Sequence, residues 1–401
     1  MSLLSKAQLK EFIKENNITS VAGIQSTLKE LFKDVLEEML QAELDTTLGY
    51  EKYDVKNKQT DNSRNGFSKK TIKTEFGEME IDVPRDRNGE FEPKIVPKNK
   101  TDISGIEDKI ISLYARGMST RDIQDQIKDL YGIDISPELV SKITDRIIPE
   151  VKEWQSRPLE KIYSFIFMDA IHYKVREEGR ILNRAAYVVL GVNIEGYKEV
   201  LGIWIGENES SRFWLGVLND LKGRGVEDVL VFCVDGLTGM KEAIQAAYPK
   251  SEIQRCIIHQ LRNSFKYVSY KHLKEFTKDF KNVYNALNEE VAKEKLKEVE
   301  QKWGSQYPYA IKSWENNWDV ISPFFKFPDE IRKIMYTTNI IESLHRQFRK
   351  VTKTKTIFPT DLSLEKMLYL SVKNIDKKWT QRYRNWDMVI NQLMIIYPGR
   401  I

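Results

Sequence analysis

Apolar side chains recur at three- and four-residue steps over residues 24–48, through Ile24, Leu28, Leu31, Phe32, Val35, Leu36, Met39 and Leu40. That spacing predicts an amphipathic helix. Residues 51–100 are polar and rich in Lys, Arg, Asn and Gly, with one alternating stretch over 69–83 that predicts a short hairpin around Phe76-Gly77. Helical spacing returns over 106–146 in three short pieces. Ile106, Ile110, Leu113 and Tyr114 carry the first; Ile123, Ile127 and Leu130 carry the second, with Ser119 or Thr120 as its cap; Leu139, Val140, Ile143 and Ile147 carry the third. Ser136-Pro137 is a strong start for that last helix, because proline suits the first turn. From residue 162 the pattern becomes continuous and apolar, as buried strands require. Strands are predicted at 163–168, 185–192, 199–205, 228–234 and 253–258, with helices at 211–223 and through Ala243, Ile244 and Ala247. Residues 265–318 are helical and hold Trp303, Trp314 and Trp318; further helices are predicted from Asn339, over 364–374 and over 379–397.

Three closely joined strands, then helix, strand, helix, strand is the order of a ribonuclease H-like mixed sheet, in which the fourth strand lies parallel to the first. The predicted fold class is therefore α/β, a ribonuclease H-like mixed sheet with an all-helical insertion at about 262–330. A helical and helix-turn-helix region precedes it. The predicted division is an N-terminal helical region over 1–60, a DNA-binding region over 61–150 and a catalytic domain over 151–401. Helix, short turn and capped helix with polar outer positions is the pattern whose last helix enters a major groove. Lys142 and Arg146 are its candidate DNA contacts. Small helical trios without any DNA role share the same pattern. Over 51–100, Arg64, Lys69, Lys70, Lys73, Arg85 and Arg87 fit a solvated surface as well as a DNA backbone.

Composition narrows the class. No stretch approaches the roughly 18 apolar residues of a membrane span, and no signal-peptide pattern is visible. Two cysteines, Cys233 and Cys256, exclude a disulfide scaffold and suit a reducing cytoplasm. With 63 basic and 59 acidic residues the net charge is only +4, so nucleic-acid binding must be argued from local clusters.

Three acidic residues stand where such clusters matter. Asp169 follows the first predicted strand and Asp235 follows the fourth. In a sheet with those strands parallel neighbours, both carboxylates emerge at one edge. Like charges held close need a cation, or one keeps its proton. Magnesium prefers hard oxygen ligands, and two such ions about 3.5–4 Å apart activate an attacking oxygen and stabilise a leaving one. Taken singly, either aspartate is more readily a turn-former or helix cap after a strand; two at matched strand ends turn the balance toward function. Glu342 lies on the helix from Asn339, where Ile341, Leu344, Phe348 and Val351 form one stripe and Glu342, Arg346, Arg349 and Lys353 another. A carboxylate followed by three cations suits a metal and then a phosphate backbone. Asn339 to Glu342 equally fits a capping box, and spacing alone leaves the two readings level. Cys256 and His259 form a Cys-x-x-His pair, but zinc wants four ligands and the one other cysteine belongs to a strand. His172 and His345 each fall three residues beyond a candidate ligand, as phosphate contacts or as packed or solvated side chains.

Several stretches resemble the Mutator-type transposases of bacterial insertion sequences. They are Met168-Asp-Ala-Ile-His-Tyr-Lys-Val-Arg176, Val234-Asp-Gly-Leu-Thr-Gly239, Gln254-Arg-Cys-Ile-Ile-His-Gln-Leu-Arg-Asn263 and Tyr336-Thr-Thr-Asn-Ile-Ile-Glu-Ser-Leu344. The resemblance implies an Asp-Asp-Glu catalytic site, with Asp169, Asp235 and Glu342 as catalytic metal ligands. The cofactor expected is Mg²⁺, two ions per site, with Mn²⁺ as a substitute. It also implies double-stranded DNA as partner, both terminal inverted repeats and target, with strand cleavage and strand transfer as the reaction. His259, within the family's Cys-x-x-His pair, is expected near the DNA. A homodimer is expected because two DNA ends must be brought together, and the location expected is the bacterial cytoplasm, with the nucleoid. The rival expectations are a structure-specific nuclease of the same fold without strand transfer, and an inactive, transposase-derived DNA-binding regulator.

Overall fold

The computed structural model describes residues 5–54, 58, 60–74, 76–98, 105–207, 210–236, 239–336 and 339–401. Glu75 of the expected hairpin and the motif residues Leu237, Thr238, Thr337 and Thr338 lie outside the described residues. The chain divides into two compact units, Met1–Tyr114 with Met118–Asp145, and Ala115–Gly117 with Arg146–Ile401.

In the first unit, α1 (Lys6–Glu15) precedes α2 (Val21–Leu48). The Ser20 hydroxyl caps α2 by accepting the Gly23 N–H, and Gly49 ends it at φ 75°, a conformation that glycine adopts without strain. The stripe read as one apolar face is two. Leu36 and Leu40 close on Ile72, Met79, Ile81 and Val83 of the hairpin β1 (Arg64–Thr74) and β2 (Gly77–Asp86), while Leu44 and Leu48 pack on Phe91. Ile24, Leu28, Leu31, Val35 and Met39 remain 40–51% exposed. The hairpin outruns the alternating stretch because its base is tied, with Asn62 donating to Asp86 at 2.7 Å.

Helices α3 (Ile106–Ala115), α4 (Thr120–Tyr131) and α5 (Pro137–Asp145) follow. Ser119 and Asp122 form a capping box on α4, and the Ser136 hydroxyl accepts the Leu139 N–H at 3.2 Å. Two expectations need correction. Leu139 and Leu130 are exposed, and not every polar position of the third helix is an outer one, since Thr144 is buried and donates its hydroxyl to the Ser141 carbonyl. At about 100° per residue, Val140, Ile143 and Thr144 share one face of α5 and Leu139 falls off it. Arg146 lies one residue past the end of α5, in the turn.

The second unit opens with α6 (Ile148–Ser156) and is built on five strands: β3 (Ile162–Glu177), β4 (Arg180–Asn193), β5 (Lys198–Gly206), β6 (Asp228–Val234) and β7 (Glu252–Arg255). Their order is β5-β4-β3-β6-β7, antiparallel from β5 to β3 and parallel from β3 to β7. Helices α7 (Ser211–Gly223) and α8 (Met240–Ala247) cover one face, where Trp214, Leu218, Met240 and Ile244 meet Tyr187, Val189 and Phe232. Between β7 and the later helices run α9 (Ile257–Phe265), α10 (Leu273–Tyr284), α11 (Glu289–Trp303), α12 (Pro308–Glu315), α13 (Trp318–Ile321) and α14 (Asp329–Met335). Trp303 and Trp314 are the core of this array, packed with Phe276, Phe280 and Tyr307, rather than aromatic residues offered to a partner. Tyr267, Tyr270 and Tyr309 are exposed, at 53%, 90% and 71%. Last come α15 (Asn339–Thr352), α16 (Asp361–Asp376) and α17 (Trp386–Ile396), the last packing Trp386 on Phe165 of β3. The helix expected over 379–397 starts only at Trp386, because Asn385 takes a left-handed φ of 58° that a continuous helix does not tolerate. Among the described residues, no helix is long and apolar enough to cross a membrane.

Candidate functional site

Asp169 does not end its strand. The parallel ladder between β3 and β6 closes at Met168 opposite Val234, and Asp169 is the next residue. Antiparallel pairing with β4 carries β3 onward, from Asp169 opposite Val188 to Glu177 opposite Arg180. Further along, Phe358 takes up the vacated edge, exchanging hydrogen bonds of 2.8 Å with Lys174 and Arg176. Asp169 therefore marks the point where β6 turns away, and Asp235 is the first residue of that departure. Gly236 follows at φ 81°, a left-handed conformation that favours glycine, and the Arg255 guanidinium packs close against it.

The fifth strand is shorter than its apolar pattern implies. β7 pairs with β6 only as far as Arg255 opposite Val234; then the Cys256 N–H donates to the Val234 carbonyl at 2.8 Å and Cys256 becomes the N-cap of α9. Its ladder partner has run out, so Ile257 and Ile258 enter a helix. This places His259 in the first turn of α9. His259 Nδ1 stands 2.9 Å from Asp235 Oδ1 and Nε2 stands 3.4 Å from Glu342 Oε1, while its ring also hydrogen-bonds to Cys256. One ring spans two of the three carboxylates. Arg262, a turn later on α9, donates to Glu342 Oε1 at 2.7 Å.

On α15, Ile341, Leu344 and Phe348 are buried while Arg346, Arg349 and Lys353 are exposed, the expected pair of stripes. Asn339 is the first helical residue, and the residues before it lie outside the described residues; Glu342 turns to His259 and Arg262. His345 is buried with Nδ1 3.4 Å from Asp169 Oδ2. His172 is exposed.

Burial, then the charges of Asp235 and Glu342, push Asp169 up to about 7, against the pull of the Ala170 N–H and His259. Burial works against a charged His259, but hydrogen bonds to Asp235 and Cys256 and the Asp235 charge outweigh it and lift the ring to about 10. Burial, with Arg349 and His259 nearby, lowers His345 to about 4. At neutral pH an imidazolium thus lies between Asp235 and Glu342, and a neutral imidazole lies against Asp169.

The donor types fit a hard divalent cation, three carboxylates at one sheet edge. Among the described residues no three His, Cys, Asp or Glu side chains are arranged to hold a metal ion, and the His259 ring stands between Asp235 and Glu342. Cys233 and Cys256 are both buried free thiols. Cys256 serves to orient His259, which gives the Cys-x-x-His spacing a use other than zinc. Lys142 is exposed on α5, and Arg146 is exposed. Arg262, Arg255 and the His345 contact escape the sequence reading. Arg262 was in reach, since it lies three residues from His259 on one helical face, but the run 253–258 reads as strand and hides that face.

The Mutator family of transposases matches residues 4–382. A probable transposase for an ISRM3-like insertion sequence element of Sinorhizobium fredii is 40% identical, covering 99% of each chain. The transposase for ISRM3 of Rhizobium meliloti matches at the same identity and coverage, 40% and 99%. The transposase for IS256 in Tn4001 of Staphylococcus aureus is 27% identical over 94% of this chain and 95% of its own. The chain belongs to the Mutator family of transposases.

Proposed function

We propose that this chain is a DNA transposase that binds the terminal inverted repeats of its element, cuts the DNA there and joins the freed 3′-hydroxyl to target DNA. The observation that carries the reading is the convergence of Asp169, Asp235 and Glu342, linked through His259 and His345, where β6 parts from β3. A ribonuclease H-like catalytic region over 151–401 is supported by the parallel placement of the fourth strand beside the first and by the helices between β7 and α15. A DNA-binding region over 61–150, after a helical region over 1–60, is supported by the capped α4–α5 pair, with Lys142 and Arg146 as contacts.

Asp169, Asp235 and Glu342 would hold two divalent cations, Mg²⁺ or Mn²⁺, which supply charge neutralisation and a more acidic attacking oxygen. His259 stands between Asp235 and Glu342 and would compete with a cation for them; its positive charge would suit a DNA phosphate. Arg346, Arg349 and Lys353 point from one face of α15 and suit the phosphate backbone on either side of the cut. Neutral His345 holds the Asp169 carboxyl from behind. The location that follows is the bacterial cytoplasm, with the nucleoid. Joining two ends calls for a homodimer, and the exposed Ile24, Leu28, Leu31 and Val35 of α2 supply a self-complementary face.

Incubating the full chain with Mg²⁺ and duplexes carrying the element's own ends tests the reading. Nicked ends joined to target DNA support it. Nicks without joining would reassign the chain as a nuclease, and binding without nicks as a regulator. Sedimentation of the paired-end complex tests the dimer, which a complex of one chain on one end that still joins strands refutes.

A further inference from the structure

A cavity of about 530 Å³ opens between the end of α10, α14 and the start of α15, within the roughly 300–1,000 Å³ typical of small-ligand pockets. Its walls are Tyr284, Phe324 and Tyr336, and its rim carries Asn285, Asp329, Lys333 and Asn339. The aromatic wall is rigid. Tyr284 and Tyr336 lie with ring centroids 5.4 Å apart and their hydroxyls are hydrogen-bonded. Behind them Arg332 gives its guanidinium to the carbonyls of Ala286, Leu287, Phe325 and Phe327 at 2.6–3.2 Å and lies over the Phe324 and Phe325 rings. Arg332 is thus fully engaged in holding the wall, and Lys333 is the exposed cation at the mouth.

The position of the cavity says what would fill it. Asn339 is the first residue of α15, and Glu342 follows three residues later, about 4.5 Å along the axis at 1.5 Å per residue. Asn339 at the rim and Glu342 at the carboxylates thus share the first turn of α15, which sets the mouth beside the cutting site. An aromatic wall of two tilted tyrosine rings, with two carboxamides and Lys333 at the rim, suits a nucleobase, its hydrogen-bonding edge and its phosphate, while Asp329 at the rim and Glu330, 3.7 Å from Lys333, confine the phosphate to the lysine side. Moving a base out of the stack costs a few kcal/mol, least where the strand is already unpaired, as it is beside a cut. We propose that this cavity receives one unpaired nucleobase of the DNA strand next to the cut, stacked on Tyr336. The assignment rests on the transposase reading and adds to it a site that fixes the strand's register.

The test uses the full chain and end duplexes with 5-iododeoxyuridine placed at successive positions across the cleavage point. One position should crosslink to Tyr336 or Tyr284, located by peptide mass spectrometry. Tyr336→Ala should weaken end binding roughly 5- to 150-fold, the range base–aromatic stacking spans, while Tyr336→Phe keeps the parent's affinity. The discriminating step is a double-mutant cycle. With an abasic nucleotide at the crosslinking position, Tyr336→Ala should cost nothing more. An equal loss on intact and abasic DNA would make Tyr336 a mere packing residue and overturn the site, as would ends cut normally with crosslinks at neither tyrosine. Displacement of the crosslink by a free deoxynucleoside monophosphate at micromolar concentration would reassign the cavity to a free nucleotide and overturn the proposal. A chain that neither binds nor cuts its ends would overturn the transposase reading itself.

Discussion

Asp169 and Lys142 sit on elements of opposite character. Asp169 is buried in the middle of a 16-residue strand, hydrogen-bonded on one edge to β4 and abandoned on the other by β6. Lys142 is exposed on a nine-residue helix whose other side is packed. At the sheet edge the backbone fixes where a carboxylate must be, and burial makes an unpaired charge costly. On α5 nothing costs energy if the lysine changes rotamer or sequence. A buried polar residue must be accounted for, whereas an exposed cation is informative only once its partner is known.

The sharpest way to break this contrast is to remove charge at the edge. Asp169→Asn, Asp235→Asn and Glu342→Gln should each lower cleavage of end DNA by roughly 10³-fold or more, since metal-borne charge stabilisation is worth several kcal/mol. Gel-shift binding should persist. Near-normal cleavage by any one variant removes that residue from the site.

The same edge predicts a pH dependence in the metal-free chain. Folded Asp169 holds its proton up to about pH 7, while the unfolded chain releases it near the ordinary 3.8. The folded state binds more protons in that window, so this group makes stability fall from about pH 4 to pH 7. Asp169→Asn removes the fall. It should be more stable than the parent above pH 7 by about 2–4 kcal/mol, because a tenfold difference in proton affinity between folded and unfolded chain is worth about 1.36 kcal/mol. At pH 4 it should be no more stable. Urea unfolding in chelator at both pH values measures it; an equal gain at both would assign the effect to packing.

Removing the ring that bridges Asp235 and Glu342 should act in a different direction. His259→Ala should tighten Mn²⁺ binding to the DNA-free chain by roughly tenfold or more, the worth of a hydrogen bond to a charged group at about 1.5–3 kcal/mol. Calorimetric titration reads it, and weaker binding would make His259 a support of the ligand set rather than its competitor. The smallest effect belongs to α5. Lys142→Ala should reduce the slope of log affinity against log salt by about one, if the side chain neutralises one phosphate. An unchanged slope returns Lys142 to the solvated surface.

The sheet was legible because its strands are buried on both faces. Their apolar runs carry the order of elements, and the ends of β6 and α7 fall where the pattern puts them. What the pattern hides is the partner. β3 runs on past Asp169 because β4 and Phe358 pair with it, and β7 stops because β6 does. Hydrogen-bond partners across a sheet leave no mark on the strand's own composition. Asp169 and Asp235 stood out because each follows one of those apolar runs, whereas Glu342, on a helix that equally fitted a capping box, was singled out only by the family resemblance; Arg262 and the Asp169 contact of His345 arise from α9 and α15 meeting the edge. On α2 the pattern gave apolar positions without saying that two faces divide them, one covered by the hairpin and one exposed.

The central claim is that three carboxylates from β3, the end of β6 and α15 act as one cation site on DNA. Its most direct measurement is Mn²⁺ stoichiometry by electron paramagnetic resonance on the chain bound to its end DNA, compared with Asp169→Asn, Asp235→Asn and Glu342→Gln. Two ions bound per active site, with at least one lost in every variant, is the predicted result. Stoichiometry unchanged in all three variants, with DNA still bound, would contradict it.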